Sequence, residues 1–253
     1  VGAGHGDLGY VDGRSWLHGT SGHHKIVAAF VLVLAVVAVP RGTWWPFAVA
    51  VGVLVAAAAA ARLPARRVLR RMLVETPFVV FALALPIIAD GPRVAVFGVP
   101  VSEPGLLAAG AMLAKATVGV LAGVVLASTT RPAELVRGLH RLRMPGPLVE
   151  IASFMLRYVS VVSDDLRRMR IARESRCFAG SGPRQARAVA ASAGTLFVRS
   201  YERGERVHLA MLARGYAGTM PVTETRDTAR APLALTAGVL IVVAAAATAW
   251  WLR

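Results

Sequence analysis

Cysteine is almost absent from this 253-residue sequence. Cys177 stands alone, so no disulfide can close within the chain and no Cys-x-x-Cys metal site can be built. Lysine is nearly as scarce, because every basic residue except Lys25 and Lys115 is Arg. Acidic residues number only 14 against 29 basic ones, which leaves a net charge of +15. The motifs of hydrolytic chemistry are missing too. There is no HExxH, no GxSxG and no pair of carboxylates spaced for acid–base work. No GxxxxGK[ST] occurs, and neither lysine stands in a Gly-rich loop, so the chain lacks a phosphate-binding loop of its own. Together these absences argue against an enzyme.

Apolar residues are abundant instead. They make up 56% of the sequence, and the mean hydropathy is +0.57. They come in long uncharged runs, which is the pattern of a bilayer-spanning chain rather than of a soluble domain. Five runs stand out: 26–39, 44–61, 74–89, 106–127 and 232–252. The first and third are short, at roughly 21 and 24 Å of helix against a hydrocarbon core of about 30 Å. Lys25 and the Trp44/Trp45 pair are placed to extend the first span by snorkelling or by sitting at the interface.

Positive charge is spread unevenly between the links. Arg62, Arg66, Arg67, Arg70 and Arg71 crowd the second link, and residues 129–230 carry 18 Arg against 9 Asp and Glu. The links 40–43 and 90–105 hold one Arg each, Arg41 and Arg93. The positive-inside rule then predicts a multi-pass protein of the cell (inner or plasma) membrane with a cytoplasmic N-terminus and an external C-terminus. The basic balance is read as cytoplasmic loops beside membrane lipid, and nucleic acid is not a predicted partner.

The sequence divides into a polar N-terminal tail over 1–24, four transmembrane helices over 25–128, a polar region over 129–230 and a fifth transmembrane helix over 231–253. The tail lacks the apolar centre of a cleavable signal peptide. It contains Gly4-x-Gly6-x-x-Gly9, but no strand precedes this and no helix follows, so the dinucleotide-binding mechanism is missing. His5, His18, His23 and His24 are either a set of imidazole ligands or part of a mobile tail, and the mobile tail is the expectation.

Residues 129–230 are too long for a loop and too polar to span. Thr129, Thr130, Pro132 and Glu134 signal a helix start, and Met144-Pro145-Gly146-Pro147 a break. Ile151, Met155, Tyr158, Val162, Leu166 and Met169 then recur at helical spacing on one face. Gly180-Ser181-Gly182-Pro183 reads as a turn. A second amphipathic helix follows from about Gln185 to Leu212, where Gly215 and Gly218 stop it. Each helix ends in an Arg with small neighbours: Ser175-Arg176-Cys177 and Ala213-Arg214-Gly215. Arg can donate a planar fork to carboxylates of a partner, or it can simply complement a helix C-terminus. In the membrane, Lys115 is either a functional charge or a packed one, with Glu75 as a candidate counter-charge.

At these two tips the sequence resembles the transmembrane T components of energy-coupling-factor transporters, whose two cytoplasmic coupling helices end in Ala-Arg-Gly-like motifs. Ala213-Arg214-Gly215 matches the second motif. Ser175-Arg176-Cys177 is similar to the first but departs at two of three positions. Leu196-Phe197-Val198-Arg199-Ser200-Tyr201-Glu202-Arg203, Thr129-Thr130-x-Pro132-x-Glu134-Leu135 and Leu156-Arg157-Tyr158 resemble the cobalt-transport branch. The resemblance implies an all-α integral membrane protein of about five transmembrane helices with two long cytoplasmic coupling helices. It implies a non-catalytic subunit that binds no cofactor, links two ATPase subunits to a metal-capture membrane subunit, and serves cobalt uptake. Nickel or a vitamin are the alternative substrates, and a stand-alone transporter or membrane enzyme the rival classes. Residues 175–177 and 213–215 are the implied ATPase-docking points, and ATP is bound and used by the partner subunits.

Overall fold

The computed structural model describes residues 9–13, 15–40, 42–96, 99–177, 182–218 and 231–251. His5, Gly4 and Gly6 lie outside them, as do part of the expected turn at 180–183 and most of the segment before the last helix. Among the described residues nine α-helices follow in order: α1 (Gly22–Ala38), α2 (Trp45–Ala60), α3 (Ala65–Met72), α4 (Thr76–Ile88), α5 (Glu103–Thr129), α6 (Pro132–Arg141), α7 (Gly146–Glu174), α8 (Pro183–Leu212) and α9 (Ala231–Trp251). Two short strands, β1 (Arg93–Val96) and β2 (Val99–Ser102), pair antiparallel between α4 and α5, with Arg93 opposite Ser102.

The chain divides into two compact units. One, Leu8–Leu142 with Thr225–Arg253, holds the apolar helices, and the other includes Arg143–Glu224 and holds α7 and α8. In the first unit, α5 packs against α1, α2 and α4, and α9 against α1 and α2. The core is built from Leu32, Val36, Phe47, Leu54, Val118, Leu121 and Val242, all buried. Small residues at the crossings, including Ala50, Ala122 and Ala246, are buried with them, as expected where helices associate by close packing within lipid. Outward faces stay apolar: Phe30, Phe81, Leu83, Ile88 and Leu240 are exposed. On a water-soluble protein such faces would aggregate, whereas in a bilayer they meet acyl chains.

Among the described residues four helical stretches are long and apolar enough to cross a membrane: Ala65–Ile88, Glu103–Thr129, Gly146–Glu174 and Leu233–Trp251. The structure corrects two expectations here. The Arg-rich link 62–73 is not a loop. Its residues form α3, and a 3-10 turn at Leu73–Glu75 joins α3 to α4, so the short third run becomes a continuous stretch of 24 residues. The link 90–105 folds as the hairpin β1–β2. The other two apolar helices, α1 and α2, have 17 and 16 residues and remain short. Trp44, Trp45, Trp250 and Trp251 are exposed at one end of the bundle, where Trp250 Nε1 donates to Ala38 O at 2.9 Å. Exposed Trp side chains gathered at one end of an apolar bundle suit a membrane–water interface.

The two lysines have one job in common, to cap another helix. Lys115 Nζ donates to Val37 O at 2.8 Å in the last turn of α1. Lys25 is not a snorkelling residue. It is 4% exposed, and its Nζ donates to Thr129 O at 2.9 Å and Thr130 Oγ1 at 3.2 Å at the C-terminus of α5. Both arrangements satisfy carbonyls that a helix end leaves unpaired and place a cation at the negative end of its dipole. Glu75 accepts from Thr117 Oγ1 at 2.6 Å. Thr117 lies about 200° around α5 from Lys115, so the Glu75 carboxylate serves a different face. Replacing Lys25 by Met keeps the stem and removes the donor. The expected loss is roughly 1.5–3 kcal/mol, the worth of a hydrogen bond to a charged group. It is read as a lower thermal midpoint of the purified protein, and an unchanged midpoint would show that water replaces the ammonium.

The described residues of the polar tail, 9–13 and 15–24, are tied to the helices rather than loose. Val11 N donates to Ser128 O at 2.9 Å, and Arg71 reaches both Ser128 Oγ at 2.7 Å and Gly9 O at 2.6 Å. Leu17 is buried at 2%. The Arg131 guanidinium sits 5.1 Å from the Tyr10 ring centroid.

Candidate functional site

α7 and α8 are long because nothing interrupts them. Pro147 and Pro183 stand in their first turns, where a missing N–H costs nothing, and neither helix contains another Pro. Side-chain contacts fix their relative direction. Tyr216 Oη donates to Glu150 Oε2 at 2.5 Å, Arg203 Nη2 to Asp165 Oδ2 at 2.9 Å and Arg173 Nη1 to Ser192 Oγ at 3.4 Å. Numbers rise along one helix as they fall along the other, so the pair is antiparallel. Arg203 first, and then Arg168, hold the Asp165 carboxyl below the usual carboxylate range. This link between the helices is therefore intact at neutral pH and is lost only as pH falls through that lowered value.

The two tips share a left-handed ending. Gly215 has φ +84°, Gly215 N donates to Leu212 O at 3.0 Å and Tyr216 N to Met211 O at 3.0 Å. That is a Schellman ending with Gly215 in the left-handed position after the helix and Arg214 at the cap. At the other tip Cys177 has φ +60°, and Cys177 N donates to Glu174 O at 3.1 Å, the equivalent of the first of those bonds. Arg176 therefore corresponds to Arg214 and Cys177 to Gly215. The third residue of each tip must turn left-handed, which suits Gly and strains Cys. The departure of the first tip from the Ala-Arg-Gly pattern is thus a change of side chain at a shared left-handed ending.

Ser175, Arg176, Cys177, Ala213, Arg214 and Gly215 are all exposed. Among the described residues neither the Arg176 nor the Arg214 guanidinium has a hydrogen bond or ion pair, whereas Arg168 pairs with Asp165 at 3.1 Å and Arg170 with Glu174 at 2.7 Å. A Cβ on Gly215 would meet nothing within 4 Å. The tips lie at opposite ends of the antiparallel pair. Arg214 is level with the first turns of α7, so roughly 35 Å of helix separates it from Arg176. The two arginines cannot serve one small site.

A groove of about 560 Å³ runs between the helices. Phe154, Tyr158 and Val162 line it from α7, and Val207, His208 and Met211 from α8. The apolar stripe of α7 does not disappear into that contact. Met155 is 68% and Ile151 56% exposed, and Phe197 and Tyr201 of α8 are 73% and 62% exposed. Large exposed apolar faces of this kind mark an interaction surface. The sequence pattern locates both stripes, but it does not reveal the Asp165–Arg203 and Glu150–Tyr216 ties, which link residues far apart in the chain. Nor does it mark Cys177 as left-handed, since Cys has no such preference.

Among the described residues no group of three or more His, Cys, Asp or Glu is arranged to hold a metal ion. His18 is committed at both ring nitrogens, to Ser15 Oγ at 2.7 Å and Val11 O at 3.0 Å.

A bundle of apolar helices joined to a pair of long amphipathic helices with matched Arg tips defines a multi-pass membrane component of a transporter. The chain belongs to the CbiQ cobalt transport protein family, whose sequence model matches residues 13–225. The cobalt transport protein CbiQ of Rhodobacter capsulatus is 30% identical over 186 residues, which cover 74% of this chain and 73% of that one. The energy-coupling factor transporter transmembrane protein EcfT of Brevibacillus brevis is 28% identical over 223 residues, covering 83% of each. An uncharacterized protein of Methanocaldococcus jannaschii is 32% identical over 146 residues, and there the match spans about half of the relative's length, 49%. The protein is thus an energy-coupling-factor-type transmembrane component, and such components act within multi-subunit transporters.

Proposed function

We propose that this chain is the coupling subunit of an ATP-driven cobalt importer. It links two ATPase subunits to a metal-capture membrane subunit and has no active site of its own. Nickel is the second reading of the substrate, because the capture subunit makes that choice. The name of the Rhodobacter relative supports cobalt. One observation carries the mechanism: two exposed arginines, each directly before a left-handed residue, at opposite ends of one helix pair. Two equivalent tips held apart suit two equivalent partners. Each Arg would fork onto carboxylates in one ATPase subunit. Closure of the ATPases on ATP would then shift α7 against α8, and the groove between them would pass the movement to the capture subunit seated on it. The coupling pair is the bistable element that the ATPases bias.

In this reading α1, α2, the stretch from α3 to α4, α5 and α9 span the bilayer, with α7 and α8 on the cytoplasmic side. Gly146–Glu174 is apolar enough over its first part to cross, but Asp164, Asp165, Arg167, Arg168, Arg170, Arg173 and Glu174 crowd its second part. Charges so dense favour an amphipathic helix at a membrane face over a span. Cys177 is exposed and is the sole thiol, so it reports the side directly. A membrane-impermeant thiol reagent added to intact cells is expected to leave it unlabelled, and to label it once the cells are opened. Labelling from outside would invert the topology.

The functional test is reconstitution. The purified chain is expected to hydrolyse no ATP, and addition of the two ATPase subunits and the capture subunit to give ATP-dependent cobalt accumulation in vesicles. Turnover by the chain alone would make it an enzyme and end this reading.

A further inference from the structure

Four arginines, Arg62, Arg66, Arg67 and Arg70, stand exposed at the start of the helical stretch Ala65–Ile88, in the first unit. Among the described residues none of their guanidinium groups has a hydrogen bond or ion pair, whereas Arg71 beside them is bonded to Ser128 and Gly9 and Arg131 to Asp12. We propose that this face of α3 binds the phosphodiester headgroups of anionic phospholipid.

Four observations carry this. The first is how α3 divides its surface. Val68 and Met72 pack against the core. Arg71 turns toward the bundle and donates to Ser128 Oγ at 2.7 Å. Arg66 and Arg70, four residues apart, form an outer stripe, with Arg67 on one side of it. Leu69 and Leu73 form the stripe on its other side, and both are exposed. A helix that presents Leu and Arg side by side suits the boundary between acyl chains and headgroups. The second is depth. A hydrocarbon core of about 30 Å takes roughly 20 residues of helix. Counted back from Ile88, they reach Leu69. Arg66 and Arg67 then fall in the headgroup layer, and Arg70 reaches it by extending its stem.

The third is charge. Residues 61–74 contain no Asp or Glu. The next carboxylate, Glu75, is buried and accepts from Thr117 Oγ1. Nothing in this segment pairs with the four guanidinium groups, and a phosphodiester offers each of them two acceptor oxygens. The fourth is Arg62 itself. Its φ is +53°, and Leu63 N donates to Ala58 O at 3.0 Å, so α2 ends in a Schellman turn with Arg where Gly fits best. A left-handed Arg costs backbone energy that Gly would not, and here it sets a further cation four residues before Arg66. An acidic protein surface would also pair with arginines. The exposed Leu69 and Leu73 beside them, and their place at the end of an apolar stretch, favour lipid.

The full chain is purified in detergent, exposed to phosphatidylglycerol or to phosphatidylcholine, and examined by native mass spectrometry. Wild type is expected to retain phosphatidylglycerol in preference. An arginine near an anionic surface is worth roughly fivefold in binding. Arg66→Gln, Arg67→Gln and Arg70→Gln together should therefore cut the preference by roughly a hundredfold. Lys at the same three positions keeps the charge and should keep most of the preference. Arg62→Gly separates binding from folding. Gly suits a φ of +53°, so the thermal midpoint should hold or rise while phosphatidylglycerol retention falls roughly fivefold. That variant also carries the test if the triple Gln variant does not reach the membrane. Equal retention of the two lipids by wild type, or an unchanged preference in the triple Gln variant and in Arg62→Gly, would overturn the proposal. Loss of copurifying ATPase subunits from the triple Gln variant with its lipid preference intact would assign the face to a protein partner, and would overturn it too.

Discussion

Substituting Arg176 and Arg214 together by Ala is expected to abolish uptake and to prevent both ATPase subunits from copurifying, while the chain stays in the membrane. The argument is one of desolvation. Both arginines are exposed here, and among the described residues their guanidinium groups have no hydrogen bond or ion pair. They lose water only when a partner covers them, and the partner must then supply carboxylates. Removing one side of such a buried pair costs roughly 3–5 kcal/mol, against about 0–1 for a pair left in water. Each tip should therefore lose roughly two to three orders of magnitude in affinity. Single substitutions should weaken association or uncouple hydrolysis from uptake. Arg167→Ala is the internal control. Arg167 is exposed on the same helix and is not at a left-handed ending, so its loss should change little. If the double variant transports normally, the tips are ordinary helix ends.

The second large effect concerns the groove. Met155→Asp puts a carboxylate on the exposed rim of an apolar surface. If a hydrophobic partner seats there, the charge must be buried without a counter-ion, at a cost of several kcal/mol or about a hundredfold or more in affinity. The expected outcome is loss of the capture subunit from the complex with the ATPase subunits still bound. The double Arg variant should give the reverse pattern. Loss of every subunit from both variants would mean that they disturb α7 and α8 as a whole.

Much of this arrangement is legible in the sequence because two strong signals dominate it. Uncharged runs mark the spans, and three-and-four spacing marks the faces of α7 and α8, so those elements end within a few residues of where the pattern ends. The failures have specific causes. Arg66, Arg67, Arg70 and Arg71 make 65–72 look like a link, because hydropathy does not distinguish a charged helix from a loop. The hairpin between α4 and α5 is hidden because its strands are only four residues each, too short for their alternation to stand out within the link 90–105. Lys25 looks like an interfacial residue until Thr129, 104 positions away, is brought to its ammonium. The tail looks mobile for the same reason, since its anchors Arg71 and Ser128 are remote in the chain. At the site, the arginines of the tips are visible but their equivalence is not. It rests on the left-handed backbone shared by Cys177 and Gly215.

Cys177 also supplies the most direct test of the central claim, that the tips seat in the ATPase subunits. It is exposed, next to Arg176, and needs no engineering. Its rate of modification by a small thiol reagent can be measured in the purified chain and again in the assembled complex, with any ATPase thiols distinguished by mass. Docking predicts rapid modification in the chain alone and strong protection in the complex, with protection lost in Arg176→Ala. Equal rates in the chain and the complex would mean that the first tip remains in water during assembly, and the coupling account would be contradicted at its base.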